Sequence, residues 1–235
     1  MTTTQPGLAH KPKPLGFLPG VMWHIGAYLV HTSRIEYKRA IISLLEYNPN
    51  ASLLDLGCLD GELTSEVTLK IGTNSVLGID IRLFSFPFNL CLHDLNKTIP
   101  VKSDSFDVVL ASHIIEHLNE TDTFVKEIYR VLKGKGYAII STDNLASWHN
   151  MFYLLAGKQP ETFPASSKLF SSYSENAHQK ILTMDGLIQL VKYYNFTVEK
   201  VIGTGFYPLP PVLSRIACKL DRYHSVNTTI KVRKS

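Results

Sequence analysis

The sequence predicts an α/β protein built on a doubly wound parallel sheet. Short apolar runs at residues 53–56, 75–79 and 106–111 alternate with amphipathic stretches at residues 62–70 and 120–132, which is the pattern of repeated βα units. The lysines and glycines at residues 133–136 are expected to close the second helix. The run at 106–111 is apolar almost throughout, as is typical of a central strand covered on both faces. A hydrophobic content of 45% and a charged content of 19% in 235 residues indicate a folded domain and exclude a disordered chain.

The first βα connection combines glycines with carboxylates. Asp55 ends the first strand, and Gly57 and Gly61 form a tight turn that carries Asp60. Such a turn lets a ligand approach the backbone at the N-terminus of a helix, but these acidic side chains would repel a phosphate. Asp80 ends the second strand, where a carboxylate binds ribose hydroxyls. The turn therefore favours a ribose-containing ligand with positive charge, such as S-adenosylmethionine, over a dinucleotide.

The flanking segments predict how the chain is organised around this core. Residues 1–20 are rich in proline and predict a flexible tail, and residues 21–235 predict one domain with an N-terminal helical cap at 22–47. The core spans 51–142, and the region 143–182 is expected to bind the substrate, with a polar lid at 157–179. The remaining elements are expected to be a helix at 145–155, a helix at 183–194 capped by Thr183, a strand at 195–202, a helix at 212–220 and a strand at 226–232.

Composition limits the cellular setting and the partners. Cys58, Cys91 and Cys218 are too widely spaced for a disulfide framework or a zinc cluster, so a reducing, cytoplasmic setting is expected. We find no signal peptide and no membrane span, although contact with a membrane surface stays open. A net charge of +4, spread along the chain, makes nucleic acid an unfavoured partner, and the oligomeric state is not indicated.

Five short motifs follow one another between residues 51 and 142. They are Leu53-Leu54-Asp55-Leu56-Gly57-Cys58-Leu59-Asp60-Gly61, Gly78-Ile79-Asp80, His93-Asp94-Leu95, residues 106–118 and Leu132-Lys133-Gly134-Lys135-Gly136-Tyr137. In this order they resemble the class I S-adenosylmethionine-dependent methyltransferases, especially the small-molecule branch that includes the quinone-biosynthesis methyltransferases. One glycine motif would be weak evidence, whereas five motifs in the right order are specific. The flanks match only loosely.

The resemblance implies a fold and a cofactor. The fold is a seven-stranded, mostly parallel sheet of the Rossmann-like methyltransferase type, whose last strand is antiparallel. The cofactor is S-adenosylmethionine. The cofactor-binding residues that the resemblance implies are Asp55, Gly57, Cys58, Gly61, Asp80, Ile81, Asp94, Leu95 and Ser112.

The resemblance also implies a role for each part of this cofactor set. Asp55 would orient the ammonium group, Asp80 would accept the ribose hydroxyls, and Asp94 the adenine amino group. Ile81 and Leu95 would pack on the adenine ring. Asp94 has an alternative role as the first residue of an Asx turn before Asn96. The family often has glycine where this chain has Leu59. A leucine at this position restricts the backbone of the turn.

Three further residues follow the fourth strand at the carboxyl edge of the sheet, where ligands bind in open α/β folds. They are His113, Glu116 and His117. Histidine can accept the proton of a hydroxyl near neutral pH, so we assign these three residues as catalytic and assign no metal.

Two other interpretations of the same three residues stay open. Their spacing puts them on one helical face. Some methyltransferases resembling this chain hold a divalent cation there with Glu-x-x-Glu-His, and His178 is a distant candidate for a fourth ligand. In the last interpretation Glu116 and His117 only brace the structure.

The expected reaction is O-methylation of a small-molecule or lipid-linked acceptor. The candidate acceptor-pocket residues are Asn144, Trp148, His149, Tyr153, Phe163, Tyr173 and His178, although packing alone explains some of them. The alternatives are an RNA or protein methyltransferase, a non-catalytic module that binds S-adenosylmethionine, and a nicotinamide-dependent oxidoreductase. Asp60 in the turn disfavours the oxidoreductase, and Ala111-Ser112-His113-Ile114 lacks the Asn/Asp-Pro-Pro-Tyr type of motif for planar amino groups.

Overall fold

The computed structural model of the chain describes residues 35–160, 178–207 and 209–235. Its centre is a seven-stranded sheet in the order β3-β2-β1-β4-β5-β7-β6. The strands are β1 (Ser52–Leu56), β2 (Ser75–Asp80), β3 (Asn89–Leu92), β4 (Phe106–Ser112), β5 (Leu132–Asp143), β6 (Phe196–Thr204) and β7 (Asn227–Lys234). The first five strands pair in parallel, and β7 is antiparallel to both of its neighbours. The predicted doubly wound sheet and its antiparallel last strand are confirmed.

Helices cover both faces of the sheet. They are α1 (residues 35–44), α2 (Glu62–Ile71), α3 (Thr121–Val131), α4 (Trp148–Leu155), α5 (Met184–Tyr193) and α6 (Pro211–Leu220). The predicted Thr183 cap of α5 is confirmed, because its hydroxyl accepts the N–H of Gly186 at 3.0 Å. In the part of the chain that the structure describes, none of the helices has the length and apolar character that crossing a bilayer requires.

Alternating residues of the central strands supply two hydrophobic clusters. On one face Leu54 and Val109 pack with α3 and α5, and on the other Leu53 and Leu110 pack with α1 and α2. All four of these side chains are fully or almost fully buried. This two-sided burial explains why the strands are apolar in nearly every position. In β1 and β4 it leaves the polar side chains close to the strand ends.

The structure differs from the expected elements at several boundaries. Residues 133–136, expected to close α3, are an irregular part of β5, because the register with β4 jumps from the pair 106/132 to the pair 108/137. Lys135 takes a left-handed φ of 67° there. Helix α4 begins at Trp148, after its Ser147 cap. The tail at 1–20, the cap residues 22–34 and lid residues 161–177 lie outside the described residues.

Candidate active site

The turn after β1 has the geometry that its glycines predicted. Gly57 and Gly61 have φ values of 77° and 78°, in the region that favours glycine. Leu59 lies between them at a φ of 47°, which costs a leucine about 1–2 kcal/mol. Its N–H nevertheless donates to Asp80 Oδ2 at 3.1 Å. The turn therefore keeps its shape without the usual glycine, at a cost in backbone strain.

Asp55 is a buried carboxylate beneath this turn. Its side chain accepts the hydroxyl of Thr64 at 2.5 Å and is otherwise enclosed. Burial raises its pKa to about 7, the hydrogen bond from Thr64 opposes that rise, and the charge of Asp80 adds to it. An ammonium group brought near this site would favour the ionised carboxylate. The electrostatics therefore suit a cationic ligand.

Asp80 lies at the end of β2, facing the same turn. One oxygen accepts the N–H of Leu59 and the other accepts the N–H of Arg82 at 3.0 Å. Each carboxylate oxygen has a second lone pair, so these bonds orient the group while leaving capacity for two hydroxyls. Cys58 is buried, and burial raises the pKa of its thiol to about 12, so it is not a nucleophile at neutral pH.

The remaining predicted cofactor residues follow β2, β3 and β4. Ile81 is exposed, whereas Leu95 is buried in the larger hydrophobic cluster. Asp94 accepts both the backbone N–H and the side-chain amide of Asn96 at 3.0 Å, and these bonds lower its pKa. Asp94 thus forms the Asx turn that was its alternative assignment. The Ser112 hydroxyl lies 3.0 Å from that of Ser141 on β5. The roles of these residues toward a cofactor stay predictions.

His113 follows β4 in a strained backbone conformation. Its φ of 50° is left-handed, and its N–H donates to the carbonyl of Ser141 at 2.9 Å. Its ring packs on that of Tyr37 in α1, with the ring centroids 4.5 Å apart. The next residue, Ile114, lies close to Gly57. A Cβ added to Gly57 would lie 2.9 Å from the side chain of Ile114. The loop after β4 therefore touches the glycine turn.

Glu116 holds the imidazole of His113 in one orientation. It is 1% exposed, and its Oε1 lies 3.0 Å from His113 Nδ1 while Oε2 accepts the hydroxyl of Thr142 at 3.0 Å. Burial favours the protonated acid, but the bond with His113 and the neighbouring imidazoles outweigh it and lower the pKa of Glu116. An ionised Glu116 requires Nδ1 of His113 to donate. In the neutral imidazole Nε2 then carries the lone pair.

Two further groups complete this cluster. His178, far along the chain, packs on His117 with ring centroids 4.8 Å apart. It is the residue that the sequence offered as a distant fourth metal ligand. Asp143, at the end of β5, has carboxylate oxygens 3.7 Å from Nδ1 of both His113 and His178, and burial raises its pKa. Asp143 was not among the site residues predicted from the sequence. The only signal for it was its position at the carboxyl end of a parallel strand.

The cluster also has the composition of a metal site. Glu116, His117 and His178 bring three ligand atoms within 4.8 Å of one another, and so do His113, Glu116 and Asp143. Imidazole and carboxylate ligands together suit Zn²⁺ and related divalent ions. The residues therefore fit two roles: binding a divalent cation, or accepting a proton at His113.

Several candidate acceptor residues have structural roles instead. Asn144 is 1% exposed and donates to the carbonyls of Tyr223 and Ser225, so it braces the segment before β7. Trp148 donates to Asp221 Oδ2 at 3.0 Å. The ring of His149 packs between those of Tyr153 and Tyr207. Phe163 and Tyr173 lie outside the described residues.

Comparison with known proteins identifies the domain. The family model described as a methyltransferase domain matches residues 54–140. The ubiquinone biosynthesis O-methyltransferase of Pelagibacter ubique is 28% identical over 169 residues, covering 67% of this chain and 66% of that protein. The mitochondrial ubiquinone biosynthesis O-methyltransferase of Rattus norvegicus is 26% identical over 175 residues, covering 66% of this chain and 47% of that protein. The chain thus spans less than two thirds of the length of these relatives.

A solved structure shows the same fold. A methyltransferase of Thermotoga maritima, described as a possible histamine N-methyltransferase, aligns with a TM-score of 0.60 at 20% identity, over 91% of this chain and 100% of that chain. The fold, the antiparallel last strand and the matched segment agree with the resemblance found in the motifs. Residues 54–140 of this chain therefore match a methyltransferase domain, the chain has the fold of the class I S-adenosylmethionine-dependent methyltransferases, and its sequence is similar to those of the quinone-biosynthesis methyltransferases.

Proposed function

We propose that this protein transfers a methyl group from S-adenosylmethionine to the oxygen of a small-molecule or lipid-linked acceptor. The observation that carries the proposal is the imidazole of His113, held by the buried carboxylate of Glu116 beside the glycine turn. The names of the quinone-biosynthesis relatives support the same substrate class. RNA and protein acceptors, and a binding module without activity, are not favoured by these likenesses.

The cofactor-binding side of the site uses charge and shape. When bound, S-adenosylmethionine supplies a methyl group on a positively charged sulfur, which keeps the electron pair of the broken C–S bond. Asp55 and Asp80 provide negative charge for the ammonium group and acceptors for the ribose hydroxyls. Gly57 and Gly61 let the ligand approach the backbone. The largest contribution to rate is the alignment of the acceptor oxygen with the methyl carbon.

The acceptor side uses His113 as a general base. Its Nε2 takes the hydroxyl proton while the acceptor oxygen forms its bond to the methyl carbon. The resulting imidazolium is stabilised through Nδ1–H by Glu116, in the way a buried carboxylate supports a catalytic histidine. Such a base contributes about 10²–10⁴-fold to rate.

Two measurements test these roles separately. Calorimetric titration should detect binding of S-adenosylmethionine and no binding of NAD. Asp80→Ala should abolish the binding of S-adenosylmethionine. His113→Ala should keep the cofactor affinity and lower turnover about 10²–10⁴-fold. Glu116→Gln, which keeps the shape of the side chain, should cause a smaller loss. Unchanged turnover in His113→Ala would remove that residue from the mechanism.

The acceptor is found with a labelled methyl donor. We expect label to enter fractionated small-molecule or lipid-linked pools and not RNA or protein fractions. Tight cofactor binding without transfer to any fraction would support the non-catalytic alternative.

A divalent cation bound by Glu116, His117 and His178 is the second candidate for this cluster. The favouring observation is the convergence of their ligand atoms within 4.8 Å. Under this alternative the purified protein contains metal, a chelator abolishes turnover, and His178→Ala lowers both metal content and activity. Full activity in a metal-free, chelator-treated preparation would leave the general base as the mechanism.

A further inference from the structure

The hydroxyl of Thr142 binds the side of the Glu116 carboxylate that faces away from His113. Thr142 is the second-last residue of β5 and is 1% exposed, and its hydroxyl lies 3.0 Å from Glu116 Oε2. The other oxygen, Oε1, lies 3.0 Å from Nδ1 of His113. An ionised carboxylate can only accept hydrogen bonds, so the hydroxyl is the donor. Thr142 and His113 therefore bind opposite oxygens of one buried carboxylate.

The carboxylate needs this second hydrogen bond to keep its orientation. The backbone of Glu116 is held separately, because its carbonyl accepts the N–H of Gln179 at 2.7 Å. The terminal torsion of a glutamate side chain is broad, so a bond to one oxygen leaves the plane of the carboxylate poorly fixed. Leaving the second oxygen of a buried carboxylate without a donor is also costly. A donor to Oε2 thus fixes the direction in which Oε1 points.

The position of Thr142 makes it a rigid donor. Strand β5 lies inside the sheet, between β4 and β7. Threonine is branched at Cβ, which restricts its χ1 torsion, and burial removes the space for other rotamers. The hydroxyl is therefore fixed relative to the sheet, and the loop after β4 is fixed relative to the hydroxyl through Glu116.

We propose that Thr142 is a positioning residue for methyl transfer. Its hydroxyl orients Glu116, and Glu116 in turn directs Nε2 of His113 toward the acceptor. Thr142 acts through Glu116 and does not take part in the proton transfer. This role rests on the proposed function, because it requires His113 as the base.

Thr228 provides a matched comparison within the same sheet. It lies directly opposite Thr142 in the antiparallel pair of β5 and β7, and it is also 1% exposed. Opposite residues of such a pair have their side chains on the same face of the sheet. Among the described residues the hydroxyl of Thr228 has no hydrogen-bond partner. The two threonines thus share residue type, burial and face, and they differ in the bond to Glu116.

The first test measures turnover with methyl-labelled S-adenosylmethionine and the small-molecule or lipid-linked fraction that wild type methylates. Thr142→Val keeps the shape of the side chain and removes the hydroxyl. It should lower turnover about tenfold to a hundredfold, the effect of losing one hydrogen bond to a charged group. Thr142→Ser keeps the hydroxyl and should retain most of the turnover. Thr228→Val should behave like wild type. Calorimetry should show the same affinity for S-adenosylmethionine in all three variants.

The second test observes the imidazole directly and needs no acceptor. The proton on Nδ1 of His113 is hydrogen-bonded to a buried carboxylate, so proton NMR should show it downfield and protected from exchange. His113→Ala identifies this resonance by removing it. The resonance should persist in Thr142→Ser and in Thr228→Val, and it should be lost or shifted upfield in Thr142→Val.

Full turnover of Thr142→Val, or an unchanged His113 resonance in that variant, would overturn the positioning role. So would an equal loss of turnover in Thr228→Val, since that result would assign the effect to any buried threonine of this face. A lower melting temperature of Thr142→Val without loss of turnover would show that Thr142 only packs. Unchanged turnover in His113→Ala would overturn the proposed function instead, so the two failures are distinguishable.

Discussion

Replacing Asp55 with asparagine should make the cofactor-free protein more stable at pH 8. The carboxylate has a pKa of about 7 in the fold against an ordinary value of 3.8, because it is buried. Between these two values the folded state holds more protons than the unfolded state, so the free energy of unfolding falls as pH rises from about 4 to 7. A difference of about 3 pKa units corresponds to an upper limit of about 4 kcal/mol.

The variant Asp55→Asn removes this loss while keeping an acceptor for the hydroxyl of Thr64. Urea unfolding of both proteins without cofactor, at pH 5, 6, 7 and 8, should show a stability advantage of the variant that grows by about 2–3 kcal/mol over this pH range. The same variant should bind S-adenosylmethionine about tenfold or more weakly at pH 8, since the ammonium group loses its charged partner. The site thus gives up stability for a function that needs a buried charge.

Glu127→Gln serves as a control of opposite sign. Burial favours protonation of Glu127, but its bonds with Arg130 and with the N–H of Ile99 outweigh burial and lower its pKa. A lowered pKa contributes stability that is present above the ordinary value of 4.5 and lost as pH falls below it. The deficit of this variant relative to wild type should therefore stay nearly constant from pH 5 to 8 and shrink only below about pH 4.5. An advantage of Asp55→Asn that is independent of pH, or a lower stability of that variant at pH 8, would contradict a raised pKa of Asp55.

Three other substitutions have outcomes that follow from geometry. Gly78→Ala should lower the free energy of unfolding by about 1–3 kcal/mol in urea titration and weaken cofactor binding, because its Cβ would lie 2.6 Å from the ring of Phe86; full stability would contradict this. Leu59→Gly should leave cofactor affinity intact and relieve about 1 kcal/mol of backbone strain, so the melting temperature should be unchanged or higher. A clear loss of stability would contradict strain at Leu59. Arg130→Met should lower the free energy of unfolding by about 1–3 kcal/mol, because Glu127 loses its charged partner while the N–H of Ile99 still donates to it, and calorimetry should show no change in cofactor affinity.

A fold of this kind does not define its chemistry, which depends on the side chains at the carboxyl edge of the sheet. Here that edge has two parts. The turn after β1 carries the carboxylates expected to hold the cofactor, and the loop after β4 carries the histidine expected to act on the acceptor. The contact between Ile114 and Gly57 keeps the two parts adjacent. The distinct roles of the two parts allow cofactor affinity and turnover to be tested by different substitutions.

The sequence alone determined the central βα units, because apolar runs and glycine turns are local signals that act over a few residues. It also located Asp55, Asp80 and His113 as candidates, since each lies at or close to the end of such a run. It failed at residues 133–136, where helix-closing glycines and lysines became part of β5. Pairing with β4 decided that outcome, and strand pairing is a non-local interaction.

Only the tertiary structure brought Asp143 and His178 to the cluster of His113, Glu116 and His117. These residues are distant along the chain, and they meet because parallel strands end at one edge of the sheet and because the chain after residue 177 returns to hydrogen-bond with the carbonyl of Glu116. The exposure of the large apolar side chains of α6 was likewise invisible in the sequence. Helical periodicity identifies an apolar stripe, but only packing decides whether that stripe faces the core or the solvent.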